Sequence, residues 1–214
     1  MDPSASLLVF LSAAFLLAIA PGPGMLYVLA RTLAGGRREG VLSALGTFMG
    51  GMVHVLAAAA GISMVIAKSA SAFATVKYAG AAYLCYLGFR MIIDARREIP
   101  GKHHSHEQLV NAFSAKNPFL QGVTTEMLNP KTALFFLTFI PQFVHRDGGN
   151  IFCQFLVLGG ISVVLNSSAD LIVTLLAGPL GNRIRSSAVF RRRQRTATGV
   201  IMIGLGTYLA TSEK

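Results

Sequence analysis

Charge is scarce in this sequence. Only 13% of its 214 residues are Asp, Glu, Lys or Arg, about half the share of an ordinary soluble domain. With 53% hydrophobic residues and a mean hydropathy of +0.57, that scarcity excludes a soluble globular domain. Acidic residues are the scarcer kind, nine against 19 Lys and Arg, for a net charge of +10. Such an excess in a soluble chain would point to nucleic acid. Here the basic residues lie between apolar blocks, where membrane orientation accounts for them, so no nucleic-acid partner is expected. Cysteine is almost missing: Cys85 and Cys153, each in or at the edge of an apolar segment, form no CxxC and read as small buried apolar residues. No Lys or Arg precedes Arg31, so "SLLVFLSAAFLLAIA" lacks the basic start of a signal peptide, and Pro21 follows the would-be cleavage point. It reads as a retained first span. No Walker, GxSxG or cofactor fingerprint occurs; no cofactor is expected, and nothing in the chain couples it to ATP. The tract "HHSH" at 103–106 reads as a solvated loop, with a metal site as the alternative.

What is present is apolar length. Six segments, roughly 6–30, 41–66, 73–93, 119–144, 151–177 and 196–212, approach the ~20 residues needed to cross ~30 Å of hydrocarbon. None alternates like a barrel strand. The expected class is therefore all-α, a polytopic membrane protein of six transmembrane helices. Arg31, Arg37 and Arg38 lie at the first connection. Arg90, Arg96, Arg97, Lys102 and Lys116 surround the third, and Arg183, Arg185, Arg191, Arg192, Arg193 and Arg195 occupy the fifth. The opposite side holds only Lys68, Lys77, Arg146 and Lys214. The positive-inside rule then places both termini outside, in the periplasm of a bacterial cell. The run "RRRQR" at 191–195 suits contact with anionic lipid headgroups.

One long polar connection, 95–117, divides the chain into repeat one (1–94) and repeat two (118–214), three spans each. Three is odd, so two similar halves must lie inverted in the membrane. Each half interrupts its first span, with "PGPG" at 21–24 and "NPK" at 129–131. An interior proline costs a helix about 3 kcal/mol and a glycine about 1, and unpaired backbone groups cost several more in lipid. Paired breaks at corresponding positions are tolerable where a cavity uses the freed groups, and they mark the binding site of inverted-repeat transporters. Half-helix N-termini favour a carboxylate and exposed carbonyls accept from an ammonium, so the breaks suit a zwitterion. The candidate substrate-binding residues are Pro21, Gly22, Pro23, Gly24, Asn129, Pro130 and Lys131. A plain proline kink is the bland alternative.

Ionisable residues inside spans are costly and usually face a cavity or one another. Asp170, Glu126 and His54 are the candidates for coupling. Glu126 and Lys131 diverge on a continuous helix, and the break between them lets them approach. Against these readings, Lys131 could snorkel, Glu126 could cap a short helix and His54 could bond a neighbouring helix. "GTFMGG" at 46–51 and the other span glycines read as close helix packing.

"PGPGMLYVLARTLAGGRREGVLSALG", "GGMVHVLAAAAGIS" and "LNPKTALFFLTFIPQFV" together resemble the lysine exporter / homoserine–threonine efflux family (LysE/RhtB) over nearly the whole chain. The resemblance implies a small bacterial inner-membrane protein that exports amino acids or related metabolites, driven by the proton gradient. Pro21, Gly22, Pro23, Asn129, Pro130 and Lys131 fall on the family's motif positions, and Asp170 on its acidic position in span five. Relatives often carry an acid in the second-span stretch where this chain has Gly51; if that acid serves proton coupling, either His54, Glu126 or Asp170 carries it here or coupling differs. The expected partners are an amino acid or similar metabolite, protons and membrane lipids; a homo-oligomer stays open. The competing classes are a passive channel and a membrane assembly factor. The latter predicts interface charge or a nucleophile–base set, neither of which the sequence contains.

Overall fold

In the computed structural model, residues 3–68, 70–97, 117–145, 149–186 and 188–211 are described, and every regular element among them is helical. In order these are α1 (Pro3–Ile19), α2 (Pro23–Lys68), α3 (Ala70–Arg97), α4 (Pro118–Met127), α5 (Pro130–Leu134), a π-turn (Phe135–Phe139), a 3-10 turn (Ile140–Phe143), α6 (Ile151–Ser186) and α7 (Ala188–Thr211). Among the described residues each of the six apolar segments is thus mostly helical, the first and fourth being interrupted at 20–22 and 128–129. The stretches Pro23–Gly61 and Ile151–Ala177 are long and apolar enough to cross a membrane. Apolar side chains also point outward from them, among them Leu45, Met49, Val157 and Ile172. The "HHSH" tract and most of the connection 95–117 lie outside the described residues.

Two connections expected as loops are hardly loops at all. α2 reverses at one residue: Gly36 adopts φ 78, ψ −175, while its neighbours stay helical. Only glycine occupies that region without strain. The arms 23–35 and 37–68 then run antiparallel, so that a Cβ on Gly24 would lie 3.6 Å from Thr47 Cγ2. The Arg31–Glu39 ion pair spans the turn at 3.4 Å. Likewise α6 runs on to Ser186 and α7 starts at Ala188, so the fifth-connection arginines sit on helical backbone. Arginine is a strong helix former, and no proline interrupts 181–211.

Glycines set how closely helices approach. α2 packs on α4 where a Cβ on Gly46 would sit 3.0 Å from Gly122 Cα, and the reverse contact is also 3.0 Å. α3 packs on α7 where a Cβ on Gly206 would meet Cys85 Sγ at 2.7 Å and Ala81 O at 2.8 Å. These contacts bear out the packing reading for Gly46 and Gly206 but not for Gly160 and Gly204, where a Cβ would meet open space. Cys85 is half-buried in that interface, but Cys153 is exposed in the first turn of α6, contrary to the expectation that both are buried. Apolar periodicity is too weak in a helix greasy all round to say which side faces in. The main core joins Phe10, Ala14 and Leu17 of α1, Val55 and Ala59 of α2, the phenylalanines 135, 136, 139 and 143, and Phe155 and Val163 of α6. It lies on the α1 side of the first break and the π-turn side of the second.

Candidate functional site

Each break begins with a missing donor. In a continuous helix the N–H of residue 21 would bond Leu17 O, but residue 21 is proline and has none. α1 therefore ends at Ile19, its last turn closed by Ala20 N donating to Leu16 O at 3.0 Å. α2 begins at Pro23, a residue suited to the first helical position. The second break repeats the logic. Pro130 cannot donate to Glu126 O, so α4 ends at Met127 and α5 restarts at Pro130. Asn129 caps the restart, its Oδ1 accepting from Lys131 N at 3.1 Å.

Both freed carbonyls are claimed by nitrogen-bearing side chains from the other half of the chain. Lys131 Nζ donates to Leu17 O at 3.0 Å and to Ala20 O at 2.9 Å. His54 Nε2 lies 3.0 Å from Glu126 O; a carbonyl only accepts, so Nε2 carries the donated hydrogen. His54 is held by stacking on Phe136, centroids 6.0 Å apart. Asn129 N also donates to Glu126 O at 3.0 Å, and Thr198 of α7 donates to Pro21 O at 3.3 Å.

Glu126 is 1% exposed. Its Oε1 accepts from Thr132 at 2.6 Å and its Oε2 from Asn129 at 3.0 Å. The same carboxylate lies beside Gly24, at the N-terminal turn of α2, where a Cβ would strike Oε2. That end of a helix favours negative charge. Lys131 in turn lies along Gly22, whose added Cβ would be 3.1 Å from Lys131 Cε and 3.2 Å from Nζ. So "PGPG" and "NPK" are in contact, with an amino group at the carbonyl end of α1 and a carboxylate at the amide end of α2. The anticipated approach of Glu126 and Lys131 takes a different form. They border one cavity and lie within electrostatic range, but among the described residues the only ion pair within 4.0 Å is Arg31–Glu39.

Asp170 stands one layer away. Its Oδ2 accepts from Thr47 at 2.8 Å, while the buried Oδ1 has no partner among the described residues. It is 1% exposed and within electrostatic range of Glu126 and Lys131. A buried, unpaired carboxylate oxygen is costly, which marks Asp170 as more than packing.

A cavity of about 20 Å³ lies among these groups, the volume of one water molecule and far short of an amino acid. Its lining mixes polar residues, Thr47, Glu126, Lys131, Thr132, Ser162, Asn166 and Ser167, with small and apolar ones that include Leu17, Phe135, Phe136 and Val163. The π-turn carries Phe135 and Phe136 into it, and such turns recur at functional positions in helices. The geometry thus joins Pro21–Gly24 with Asn129–Lys131 and Glu126, reaches Asp170 through Thr47, and sets His54 behind Glu126. The sequence reading passed over Thr47, Thr132, Ser162, Asn166 and Ser167. Their only signal was polarity inside apolar spans, and Ser and Thr there commonly return their hydroxyls to the preceding turn. Among the described residues no group of three His, Cys, Asp or Glu could hold a metal.

Comparison with known proteins gives consistent matches. Residues 15–213 match the LysE type translocator family. An uncharacterized membrane protein of Bacillus subtilis, YrhP, is 32% identical over 206 residues, covering 94% of this chain and 96% of its own. One from Pseudomonas aeruginosa is 34% identical over 198 residues, covering 90% and 88%. The leucine efflux protein of Klebsiella pneumoniae is 26% identical over 205 residues, covering 95% and 94%. No solved structure matches.

Proposed function

The chain belongs to the LysE type translocator family, and from that premise we propose that it is a secondary active exporter of amino acids or related small zwitterions, driven by protons. It is a polytopic, all-helical membrane protein and a transporter, not an enzyme. The carrying observation is the contact between the two breaks, which sets an amino group on freed carbonyls and a carboxylate beside a helix start, bordering one cavity. Those are the partners a zwitterion needs, and the apolar residues of the lining suit an aliphatic side chain. The names of the leucine efflux relatives agree with such a cargo.

In this reading the six helical segments form two inverted three-helix repeats within one transmembrane domain, repeat one at 1–94 and repeat two at 118–214. The reciprocal arrangement supports it: in each half a proline frees the carbonyl four residues earlier, and a side chain from the other half takes it. In the same reading both termini lie in the periplasm and the protein in the bacterial inner membrane, an orientation that the arginine distribution supports. Pro21, Gly22, Pro23, Gly24, Asn129, Pro130 and Lys131 form the cargo site. Asp170, Glu126 and His54 carry coupling, an external proton neutralising a buried acid as cargo leaves. The cavity, at about 20 Å³, is too small for an amino acid, so one half must rock against the other to admit cargo.

The test is efflux of preloaded leucine from cells expressing the wild type or Asp170→Asn, together with leucine accumulation in inverted vesicles with and without an imposed proton gradient. Gradient-driven accumulation that Asp170→Asn abolishes is the expected result. Equilibration without concentration identifies a passive facilitator and overturns the reading.

A further inference from the structure

We propose that the carbonyls of Leu17 and Ala20 form the subsite for the cargo's primary ammonium, and that Lys131 occupies this subsite as a tethered stand-in until cargo displaces it. This rests on the exporter reading above and adds which cargo atom goes where. An alkylammonium presented to two convergent carbonyls at 3.0 and 2.9 Å is the same chemical group that an amino acid carries on its α-carbon. The seat exists because Pro21 cannot donate to Leu17 O. It is buried, with Lys131 5% exposed, and both Leu17 and Lys131 line the cavity.

The exchange conserves bonds. When cargo ammonium takes the two carbonyls, the released Lys131 is free to donate to the cargo carboxylate within the cavity that Thr132, Ser162 and Asn166 also line. A zwitterion makes both replacements. An amine without a carboxylate makes only the first, and an N-acylated amino acid only the second, which leaves the carbonyls of Leu17 and Ala20 without a donor once Lys131 moves. The site therefore selects for a free α-amino group. Gly22 belongs to the device, because the lysine stem runs over it within 3.1–3.3 Å.

The measurement is calorimetric binding of leucine, leucinamide and N-acetylleucine to the full-length protein in lipid nanodiscs. In wild type the expected order is leucine, then leucinamide, with N-acetylleucine weakest. Lys131→Met removes the stand-in, so leucinamide should bind about tenfold more tightly than to wild type if Lys131 fills the seat about 90% of the time, while N-acetylleucine should not gain. Unchanged or weaker leucinamide binding by a monodisperse Lys131→Met protein overturns the proposal. Gly22→Ala provides an arm that keeps every polar group. Crowding the lysine stem should tighten leucinamide about threefold by depopulating the seat, and no tightening counts against the proposal. Leucine efflux from cells reads separately: wild type that exports leucine while leucinamide affinity ignores both substitutions loses the subsite and keeps the exporter.

Discussion

Replacing Thr132 by valine tests whether Glu126 is held as a buried, hydrogen-bonded carboxylate. Valine keeps the shape of threonine and deletes only the hydroxyl that donates to Glu126 Oε1 at 2.6 Å. Asn129, at 3.0 Å from Oε2, becomes the sole side-chain donor among the described residues to a group that is 1% exposed. A hydrogen bond to a charged partner contributes about 1.5–3 kcal/mol, and removing one partner leaves the other buried without it. Between helices in a membrane a typical bond is worth less, about 0.6 kcal/mol, because the unfolded chain also finds partners. The carboxylate's burial decides for the larger figure, so we expect a loss of about 2 kcal/mol. Thr132→Ser is the internal standard. It keeps the donor and loses one methyl, about 0.8 kcal/mol of burial. In detergent-solubilised protein, followed by loss of the monodisperse peak on heating, Val should lower the transition by about 4–8 °C on the usual scaling for 150–250 residues, and Ser by less than half of that. If Val is as mild as Ser, Glu126 does not depend on the Thr132 hydroxyl, and the account of how the second break tolerates a buried acid is wrong.

Other substitutions read other parts of the structure. Gly36→Ala forces a side chain into φ 78, ψ −175 and should cost about 1–3 kcal/mol, measured by the same thermal assay; no loss means the chain does not reverse there. Gly46→Val pushes into the backbone of α4 and should destabilise by at least about 1–3 kcal/mol, whereas Gly204→Val, with open space around its Cα, should leave the transition unmoved. Thr47→Val strips Asp170 of the one side-chain donor it has among the described residues, at 2.8 Å; export should fall about tenfold or more while Thr47→Ser retains it, a difference read as initial efflux rates at matched expression. His54→Phe keeps the stacking on Phe136 and deletes the donor to Glu126 O. It should cost about 1 kcal/mol of stability, detectable as a lowered thermal transition.

Helical class and the location of both breaks were legible because they are local. Proline lacks an N–H and fixes φ wherever it stands, so "PGPG" and "NPK" end helices whatever surrounds them. The burial of Asp170 and Glu126 was legible too, from the cost of isolated acids in apolar runs. The closeness of the α2–α4 and α3–α7 contacts could be expected from their glycines, but which glycine meets which could not. Arginine-rich stretches at 31–38 and 183–195 looked like loops because charge was taken for connection; arginine continues a helix readily, and one positive-φ glycine is enough to turn it.

Sequence alone determined that this chain is an apolar helical protein with two deliberate interruptions and a handful of ions it must accommodate. Tertiary structure alone decided the partners. Lys131 reaches carbonyls 114 and 111 residues away, and Thr47 reaches Asp170 across 123. Glu126 and Lys131, although neighbours in sequence, border one cavity and bond elsewhere. The physical reason is that a proline states which carbonyl will be left without a donor, but the donor that arrives is whichever side chain the packing of distant helices brings within 3 Å.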